Sequence, residues 1–337
     1  MLDPQNSVCF LLPGQGSQFP GMAAGLYEWD PVFTRSMDEF FDAWGDRGRT
    51  LRQFWLTDED EWRMADVRHA QLLLLAVDHA LACTVLSWGV TPSLLLGHSA
   101  GEYAAAVLSG VMPLAEAARL AALRVDVLAG APAGGMLAVV GTVEEVTPYL
   151  SGGAAVAAIN APRQLLVAGA DESLQRAGAA LRSAGMTVMT ARARTAFHHP
   201  LLEPWCAEVL AEHARTDLAE PTIPVVSGYS GTMLGAEFAD PSFWALQPCR
   251  PVQFSAALQS CLDQGASTFV ECGPGQGLTG LAARRRTAAG GRPTVIAMTP
   301  RGVTSIARQR GVMLRARELL CEFDIPSPAV ARSFSAG

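Results

Sequence analysis

The 337-residue sequence contains no lysine: its 25 basic residues are all arginine, against 32 acidic residues, which gives a net charge of −7 at pH 7. Charged residues make up only 17% of the chain and hydrophobic residues 50%. The low charge content argues against a disordered chain, and the acidic balance disfavours a nucleic-acid partner. The length and hydrophobic fraction predict a sizeable core, with room for one large domain and a smaller one.

The sequence also lacks cysteines paired at metal-binding spacing and hydrophobic runs long enough to span a membrane. The seven cysteines are scattered and never stand at metal-binding spacing, which predicts free thiols in a reducing compartment and no metal site. No apolar run reaches the roughly 20 residues of a membrane span, and the first residues show neither a basic region nor a cleavage site. We therefore expect a cytoplasmic protein that does not bind a membrane.

Alternating helical and strand patterns predict an α/β fold. In the middle of the chain, six short elements follow the order strand, helix, strand, strand, helix, strand, which is the ferredoxin-like order. They are predicted over 136–141, 143–150, 154–159, 165–169, 171–184 and 187–191. The predicted domains are 1–132, the first part of a large α/β-hydrolase-like domain; 133–194, an inserted ferredoxin-like small domain; and 195–337, the second part of the large domain with C-terminal helices. The small, polar tail from Ser327 is expected to fray.

A candidate nucleophile, Ser99, lies in the segment 97–101, which reads Gly-His-Ser-Ala-Gly. An apolar, strand-like run over 93–96 precedes it and a helical pattern over 102–108 follows, which is the setting of a nucleophile elbow. The positions flanking the serine must be nearly free of side chains, so that strand and helix can pack closely. The hydroxyl then projects at a helix N-terminus, where backbone N–H groups favour developing negative charge.

A serine hydroxyl needs a base to remove its proton, and the sequence contains six histidines. His98 adjoins the serine, so on a tight turn its ring should point away from the hydroxyl. The others are His69 in a charged stretch, His79 and His213 in helical patterns, and the neighbours His198 and His199. A loop could place one of these neighbours over the elbow, or both could be ordinary polar loop residues. The residues alone leave both interpretations open.

Six short motifs follow one another along the chain. They are P-G-Q-G-S-Q at 13–18, G-H-S-A-G-E at 97–102, N-A-P at 160–162 with L-V-A-G at 166–169, F-H-H-P-L-L at 197–202, P-V-Q-F at 251–254 and E-C-G-P-G at 271–275. In this order they resemble the malonyl-CoA:acyl carrier protein transacylase family, which includes the acyltransferase domains of polyketide and fatty-acid synthases. The resemblance covers nearly the whole chain.

The resemblance implies transfer of an acyl group through an acyl-serine at Ser99, with His198 as the base. His199 stands where a serine is usual, so the two rings could exchange roles. In this family a backbone carbonyl orients the base, and the resemblance assigns that carbonyl to Gln253. Glu102 follows the elbow too closely to reach His198, and we expect it to be structural.

The family also uses an oxyanion hole, which here would consist of Gln15 and the backbone N–H of Ala100. The glycines on either side of Gln15 would let the chain approach the reacting carbonyl closely.

Arg124 lies 25 positions after Ser99, where the resemblance implies an arginine that binds the free carboxylate of a malonyl group. A planar guanidinium suits that task because two parallel N–H···O bonds fix the direction of a carboxylate. The alternative is an ordinary helix-surface arginine. Phe197 and Val125 are assigned to the substrate pocket, where Phe197 would disfavour a 2-methyl substituent. Val125 and the small Ala100 depart from the family pattern, and an altered pocket could admit an unusual or longer acyl group.

The implied partners are an acyl-CoA donor and an acyl carrier protein whose phosphopantetheine thiol accepts the acyl group, without a metal or other cofactor. The run Arg284, Arg285 and Arg286 is either a docking patch for an acidic carrier or a solvated helix end. We expect a monomer that acts as a discrete enzyme, in polyketide biosynthesis rather than fatty-acid synthesis. The alternatives are transfer of longer acyl groups between carriers, a proofreading thioester hydrolase, and a non-catalytic scaffold.

Overall fold

The computed structural model describes residues 7–321 and contains two β-sheets. The strands in that range are β1 Val8–Leu12, β2 Leu94–Gly97, β3 Gly134–Val139, β4 Ala155–Ala161, β5 Gln164–Ala170, β6 Val188–Thr190, β7 Val225–Val226, β8 Thr268–Glu271 and β9 Thr294–Ala297. Five form a parallel sheet in the order β7-β2-β1-β8-β9. Four form an antiparallel sheet in the order β4-β5-β3-β6. The predicted frayed tail from Ser327 lies outside the described residues.

The helices connect and cover these sheets. Within residues 7–321 they are α1 Pro31–Ala43, α2 Gly45–Thr57, α3 Glu61–Met64, α4 Val67–Ser87, α5 Gly101–Leu108, α6 Leu114–Leu128, α7 Val143–Val146, α8 Asp171–Ser183, α9 Cys206–His213, α10 Pro241–Ala245, α11 Phe254–Asp263, α12 Gly277–Ala282 and α13 Ile306–Cys321. Several helices are preceded by a residue whose side chain accepts a hydrogen bond from a free backbone N–H in the first turn. Asp30 does this for α1 and Asp66 for α4. Thr142 and Glu145 form a reciprocal capping box at α7.

The central strand β1 is buried along its whole length because the parallel sheet is covered on both faces. Val8, Phe10 and Leu12 point into the larger core, whereas Cys9 and Leu11 point into a second core on the opposite face. The period of two along a strand therefore supplies both cores from one run of apolar residues. A fully apolar strand such as V-C-F-L-L is the sequence signature of this position.

The small domain has the predicted fold. Its elements follow the order β3, α7, β4, β5, α8, β6, and the sheet order β4-β5-β3-β6 is that of a ferredoxin-like unit. The predicted helix over 143–150 is shorter, because a 3-10 turn over 147–149 replaces its second half. The chain is therefore an α/β protein with a parallel sheet and a ferredoxin-like subdomain.

Helix α4 is the one helix among residues 7–321 that is long and apolar enough to cross a membrane, by length and composition alone. The sequence prediction that no run reaches this length was therefore wrong. However, 83% of the apolar window of α4 is buried inside the protein, where the helix contacts α1, α5 and α6. This pattern is that of a core helix, so its composition is weak evidence for a membrane span.

The sheet order also determines where a site can form. Because β1 lies between β2 and β8, the loops that follow these three parallel strands leave the same edge of the sheet. Such a crevice, where the strand order reverses, is where open α/β sheets bind ligands. Ser99 lies there, at the end of β2.

Candidate active site

Ser99 occupies the sharp turn between β2 and α5, and two glycines make that turn possible. A Cβ on Gly101 would lie 2.0 Å from the carbonyl oxygen of Leu12, and one on Gly97 would lie 2.5 Å from the backbone nitrogen of Glu102. Neither position tolerates a side chain. Ser99 itself has φ +54°, in the left-handed region that a non-glycine residue rarely adopts. The predicted nucleophile elbow is therefore present.

His198 reaches this serine across 99 positions of sequence. The Ser99 hydroxyl donates to His198 Nε2 over 2.7 Å. His198 also has a left-handed backbone, with φ +61°, so both members of the pair are in a strained conformation. Such outliers persist only where the surrounding structure fixes them, and they cluster at active sites. The arrangement is that of a nucleophile and its base.

Two backbone carbonyls fix the other side of the imidazole. His198 Nδ1 lies 3.2 Å from the carbonyl oxygen of Gln247 and 3.1 Å from that of Arg250. Because carbonyl oxygens only accept, Nδ1 carries the proton and Nε2 keeps its lone pair for the serine. The assignment of this role to Gln253 was wrong. Gln253 precedes α11, and its carbonyl instead accepts from the N–H of Ala257 in the first turn of that helix.

The imidazole is neutral over a wide pH range. Burial, with smaller contributions from His98 and Arg124, outweighs the effect of the two carbonyls and lowers the pKa of His198 to about 4. An imidazole that resists protonation remains available as a base at neutral pH.

The two neighbouring histidines are turned away from the serine hydroxyl. His98 donates through Nε2 to the side-chain oxygen of Asn160 on β4, over 2.8 Å, which agrees with the expected direction of its ring. His199 Nε2 donates to the carbonyl of Gly153 over 2.7 Å, and its Nδ1 accepts from the N–H of Leu201. The geometry therefore favours His198 over His199 as the base.

The backbone N–H groups of Gln15 and Ala100 lie near the serine and have no acceptor among residues 7–321. The chain at Gly14 packs directly on the elbow, since a Cβ there would lie 3.1 Å from the Ser99 Cβ and 3.3 Å from the Ala100 nitrogen. A free N–H pair next to a nucleophile can stabilise an oxyanion. The Gln15 side chain is engaged elsewhere, because its nitrogen donates to the carbonyl of Ala65 and its oxygen accepts from Gln71.

Arg124 is buried beside this site, with only 3% of its surface exposed. Its Nη2 donates to the side-chain oxygen of Gln71 over 3.0 Å, and its guanidinium lies 4.3 Å from the ring centre of Tyr103. Its Nε is buried without a partner, and Arg124 forms no salt bridge within residues 7–321. A buried cation without a counter-ion is costly, so a carboxylate ligand would complete this site.

A cleft of about 420 Å³ opens over Ser99 and His198. Phe197 lines it, as predicted. Val125 does not: it is fully buried in the larger core, because the next residue on a helix is rotated by about 100° from Arg124. Arg124 itself adjoins the cleft through its hydrogen bond to Gln71, which lines it, and is not a lining residue. The assignment of Val125 to the substrate pocket was therefore wrong. The remaining apolar lining comes from both domains and consists of Phe19, Pro20, Ala65, Met136, Leu166, Ala191 and Ala193.

The three consecutive arginines do not form a single patch. Arg285 is half-buried and donates to the carbonyl and hydroxyl of Ser255, and Arg286 donates to the carbonyl of Gly290. Arg284 is exposed and, with Arg301, lines a groove of about 550 Å³ that leads to Gln15 and His98. Only Arg284 therefore lies where the predicted docking role requires it.

The prediction missed Gln71 and Gln247. Gln71 links Gln15 to Arg124, and it stands in an apolar helix where a lone glutamine was a detectable signal. Gln247 acts on His198 through its backbone, and a backbone carbonyl leaves no trace in the residue type. The sequence therefore offered a signal for the first residue and none for the second.

Comparison with known proteins agrees with this geometry. A family model described as acyl transferase domain matches residues 9–310. The phenolphthiocerol synthesis polyketide synthase type I Pks15/1 of Mycobacterium marinum is 35% identical over 273 residues, which are 80% of this chain and 13% of that protein. This chain therefore spans only a small part of the length of that relative.

Two solved structures share the fold. The acyl transferase domain of SpnD, in complex with 2-(pent-4-yn-1-yl)malonyl, superposes with a TM-score of 0.87 at 30% identity, covering 94% of this chain and 76% of that one. The malonyl-CoA:acyl carrier protein transacylase of Xanthomonas oryzae superposes with a TM-score of 0.79 at 28% identity, covering 92% of this chain and 98% of that one.

Proposed function

Because this chain belongs to the acyl transferase domain family and is an acyltransferase, we propose that it moves a malonyl-type group from coenzyme A to an acyl carrier protein. One observation carries the proposal: the Ser99–His198 pair lies beside Arg124, a buried guanidinium without a counter-ion. The pair supports thioester chemistry, and the guanidinium supports an acyl group that ends in a carboxylate.

Acylation of the enzyme is the first half-reaction. His198 Nε2 takes the hydroxyl proton as Ser99 Oγ attacks the thioester carbonyl, and the N–H groups of Gln15 and Ala100 hold the resulting oxyanion. The C–S bond then breaks, and the leaving thiolate takes the proton from His198. The acyl group remains as an ester on Ser99. This step requires neither a metal nor a redox cofactor.

Transfer to the carrier is the second half-reaction. His198 takes the proton of the phosphopantetheine thiol, which attacks the acyl-serine ester, and the Ser99 oxygen leaves with that proton. The exposed Arg284 beside the groove to Gln15 supports docking of an acidic carrier. Arg284→Glu should raise the carrier KM about 3- to 10-fold and leave acylation by acyl-CoA unchanged, with Arg286→Glu as the control. Equal carrier KM values for the two variants would contradict this docking site.

The acyl group can be identified by the intact mass of the enzyme after mixing with a panel of acyl-CoAs. We expect a malonyl-sized adduct that is absent from Ser99→Ala. Arg124→Ala should lower the malonylation rate about 100-fold, since it removes a buried charged partner, and should tolerate acetyl better. Arg119 lies on the same helix but is exposed and paired with Glu116 and Glu212, so Arg119→Ala should change the rate less than about 2-fold. Equal malonylation rates in the two variants would refute the carboxylate site.

A 2-substituted malonyl group is a second candidate because the cleft over Ser99 is largely apolar. The SpnD domain, whose structure holds a malonyl group with a five-carbon 2-substituent, is one of the structural neighbours. The same mass measurement should then detect heavier adducts at rates that match or exceed malonyl. Omitting the carrier tests the hydrolase alternative, because a transferase should keep its adduct until a carrier thiol is supplied.

A further inference from the structure

Glu102 is a buried carboxyl in the first turn of α5, three residues after Ser99, and the chemistry above gives it no part. Only 2% of its surface is exposed. Burial outweighs the surrounding hydrogen-bond donors and raises the pKa of Glu102 to about 8. Burying an acid at this depth is costly unless its oxygens are hydrogen-bonded, and both Glu102 oxygens accept a side-chain hydrogen bond.

One of these bonds joins the nucleophile helix to the segment that holds the base. The side-chain nitrogen of Gln247 donates to Glu102 Oε2 over 3.1 Å. The backbone oxygen of Gln247 is one of the two carbonyls that face His198 Nδ1, at 3.2 Å. A continuous path therefore runs from the turn at Ser99 through Glu102 and Gln247 to the imidazole.

The second bond leads to a different chain segment beside the imidazole. The Ser227 hydroxyl donates to Glu102 Oε1 over 2.8 Å, and its oxygen accepts from the N–H of Tyr229 over 3.0 Å. The Tyr229 ring lies 5.7 Å from the His198 ring, measured between ring centres. Glu102 thus holds two separate chain segments that lie beside His198, and it does so from the helix that begins two residues after the nucleophile.

We propose that Glu102 is a positioning residue: through Gln247 and Ser227 it fixes the imidazole of His198 relative to the hydroxyl of Ser99. The inference rests on the proposed role of His198 as the base. It predicts that loosening Glu102 slows the chemical step without weakening substrate binding, because no Glu102 atom contacts the cleft.

The test is Glu102→Gln, which keeps the size of the side chain and replaces one acceptor oxygen with a donor. Glu271→Gln is the matched control, since Glu271 is also fully buried and accepts from Leu278 and Thr279. We expect the first-order rate of Ser99 acylation to fall about 10- to 100-fold in Glu102→Gln, with the KM for acyl-CoA within about 3-fold. Glu271→Gln should lower the melting temperature similarly and acylate at the wild-type rate. Equal acylation rates in the two variants would overturn the proposal.

A double-mutant cycle tests whether Glu102 acts through Gln247. Gln247→Ala removes the side-chain link but keeps the backbone carbonyl. If the two residues form one link, Glu102→Gln/Gln247→Ala should acylate no more slowly than the slower single variant. Rate losses that multiply would show independent effects and contradict the proposed path.

A spectroscopic readout separates failure of this inference from failure of the proposed function. In protein with 15N-labelled histidine, the His198 Nδ1–H resonance should shift or broaden in Glu102→Gln and Gln247→Ala, and should stay unchanged in Glu271→Gln. If wild-type enzyme formed no adduct with any acyl-CoA, the proposed function would fail, and this resonance would still decide whether Glu102 positions the ring. An unchanged resonance in all three variants would overturn the inference.

Discussion

The structure holds Ser99 and His198, the two members of the reacting pair, in different ways. Ser99 lies between a regular strand and a regular helix, and steric exclusion at Gly97 and Gly101 fixes its turn. His198 lies in an irregular loop and is fixed by the backbone carbonyls of Gln247 and Arg250. One half of the site thus depends on the absence of side chains, and the other on hydrogen bonds to the backbone of a distant segment.

This difference predicts that one methyl group added at the Ser99 turn is enough to abolish activity. Gly101→Ala should destabilise the protein by about 3 kcal/mol and abolish acylation, because the new Cβ would overlap the Leu12 carbonyl and backbone cannot move aside cheaply. Gly277→Ala is the control, since a Cβ there meets nothing within 4 Å. That substitution should change the free energy of unfolding by less than about 0.5 kcal/mol. Chemical denaturation and intact-mass acylation measure both effects, and similar denaturation midpoints for the two variants would contradict the steric account.

The same difference explains which parts of the molecule could be predicted from the sequence. The strand before the elbow, the elbow itself and the order of the small-domain elements all follow from apolar runs, glycines and periodicity, and the prediction was confirmed for each. The assignment of the His198-orienting carbonyl to Gln253 was wrong because any residue can supply a backbone carbonyl, so its source depends on the path of the loop. The assignment of Val125 to the substrate pocket was wrong because it was inferred from the neighbouring Arg124 and did not take account of the rotation between successive residues of a helix.

The loop of His198 also carries Phe197, whose effect should be smaller and should concern selectivity. Phe197→Ala enlarges the cleft beside the serine, so the rate of methylmalonyl relative to malonyl acylation should rise about 10-fold. Val125→Ala removes a similar type of group from the core, where it should cost about 1–2 kcal/mol of stability. Its selectivity ratio should remain within about 2-fold of wild type. Competition between the two acyl-CoAs, read by adduct mass, gives the ratio, and a shifted ratio in Val125→Ala would return that residue to the pocket.

The smallest expected effect is that of pH on the acylation rate, and it tests the role of His198 as the base directly. Because burial lowers the pKa of His198 to about 4, the imidazole stays neutral and the single-turnover acylation rate should change less than about 2-fold between pH 7 and pH 5. An exposed histidine, with a pKa of about 6.5, would lose most of the rate over that interval. Rapid-quench measurements with malonyl-CoA decide between these outcomes, and a midpoint between pH 6 and 7 would mean that the loop does not desolvate the ring.

Stability should respond to pH where the rate does not. Burial also lowers the pKa values of His79 and His213 to about 4. Below a pH of about 6.5 the unfolded chain binds protons at these positions and at His198, whereas the folded protein does not until about pH 4. These three histidines should therefore lower the free energy of unfolding between pH 6.5 and pH 4. Glu102 contributes with the opposite sign, because its raised pKa of about 8 lets the folded protein bind that proton before the unfolded chain does. Glu102→Gln removes the opposing contribution, so its urea midpoints should fall more steeply with decreasing pH across this range than those of the wild type. Acylation per folded wild-type molecule should stay nearly constant down to pH 5. If stability and the acylation rate per folded molecule fell together, the pKa of His198 would instead be that of an ordinary exposed histidine.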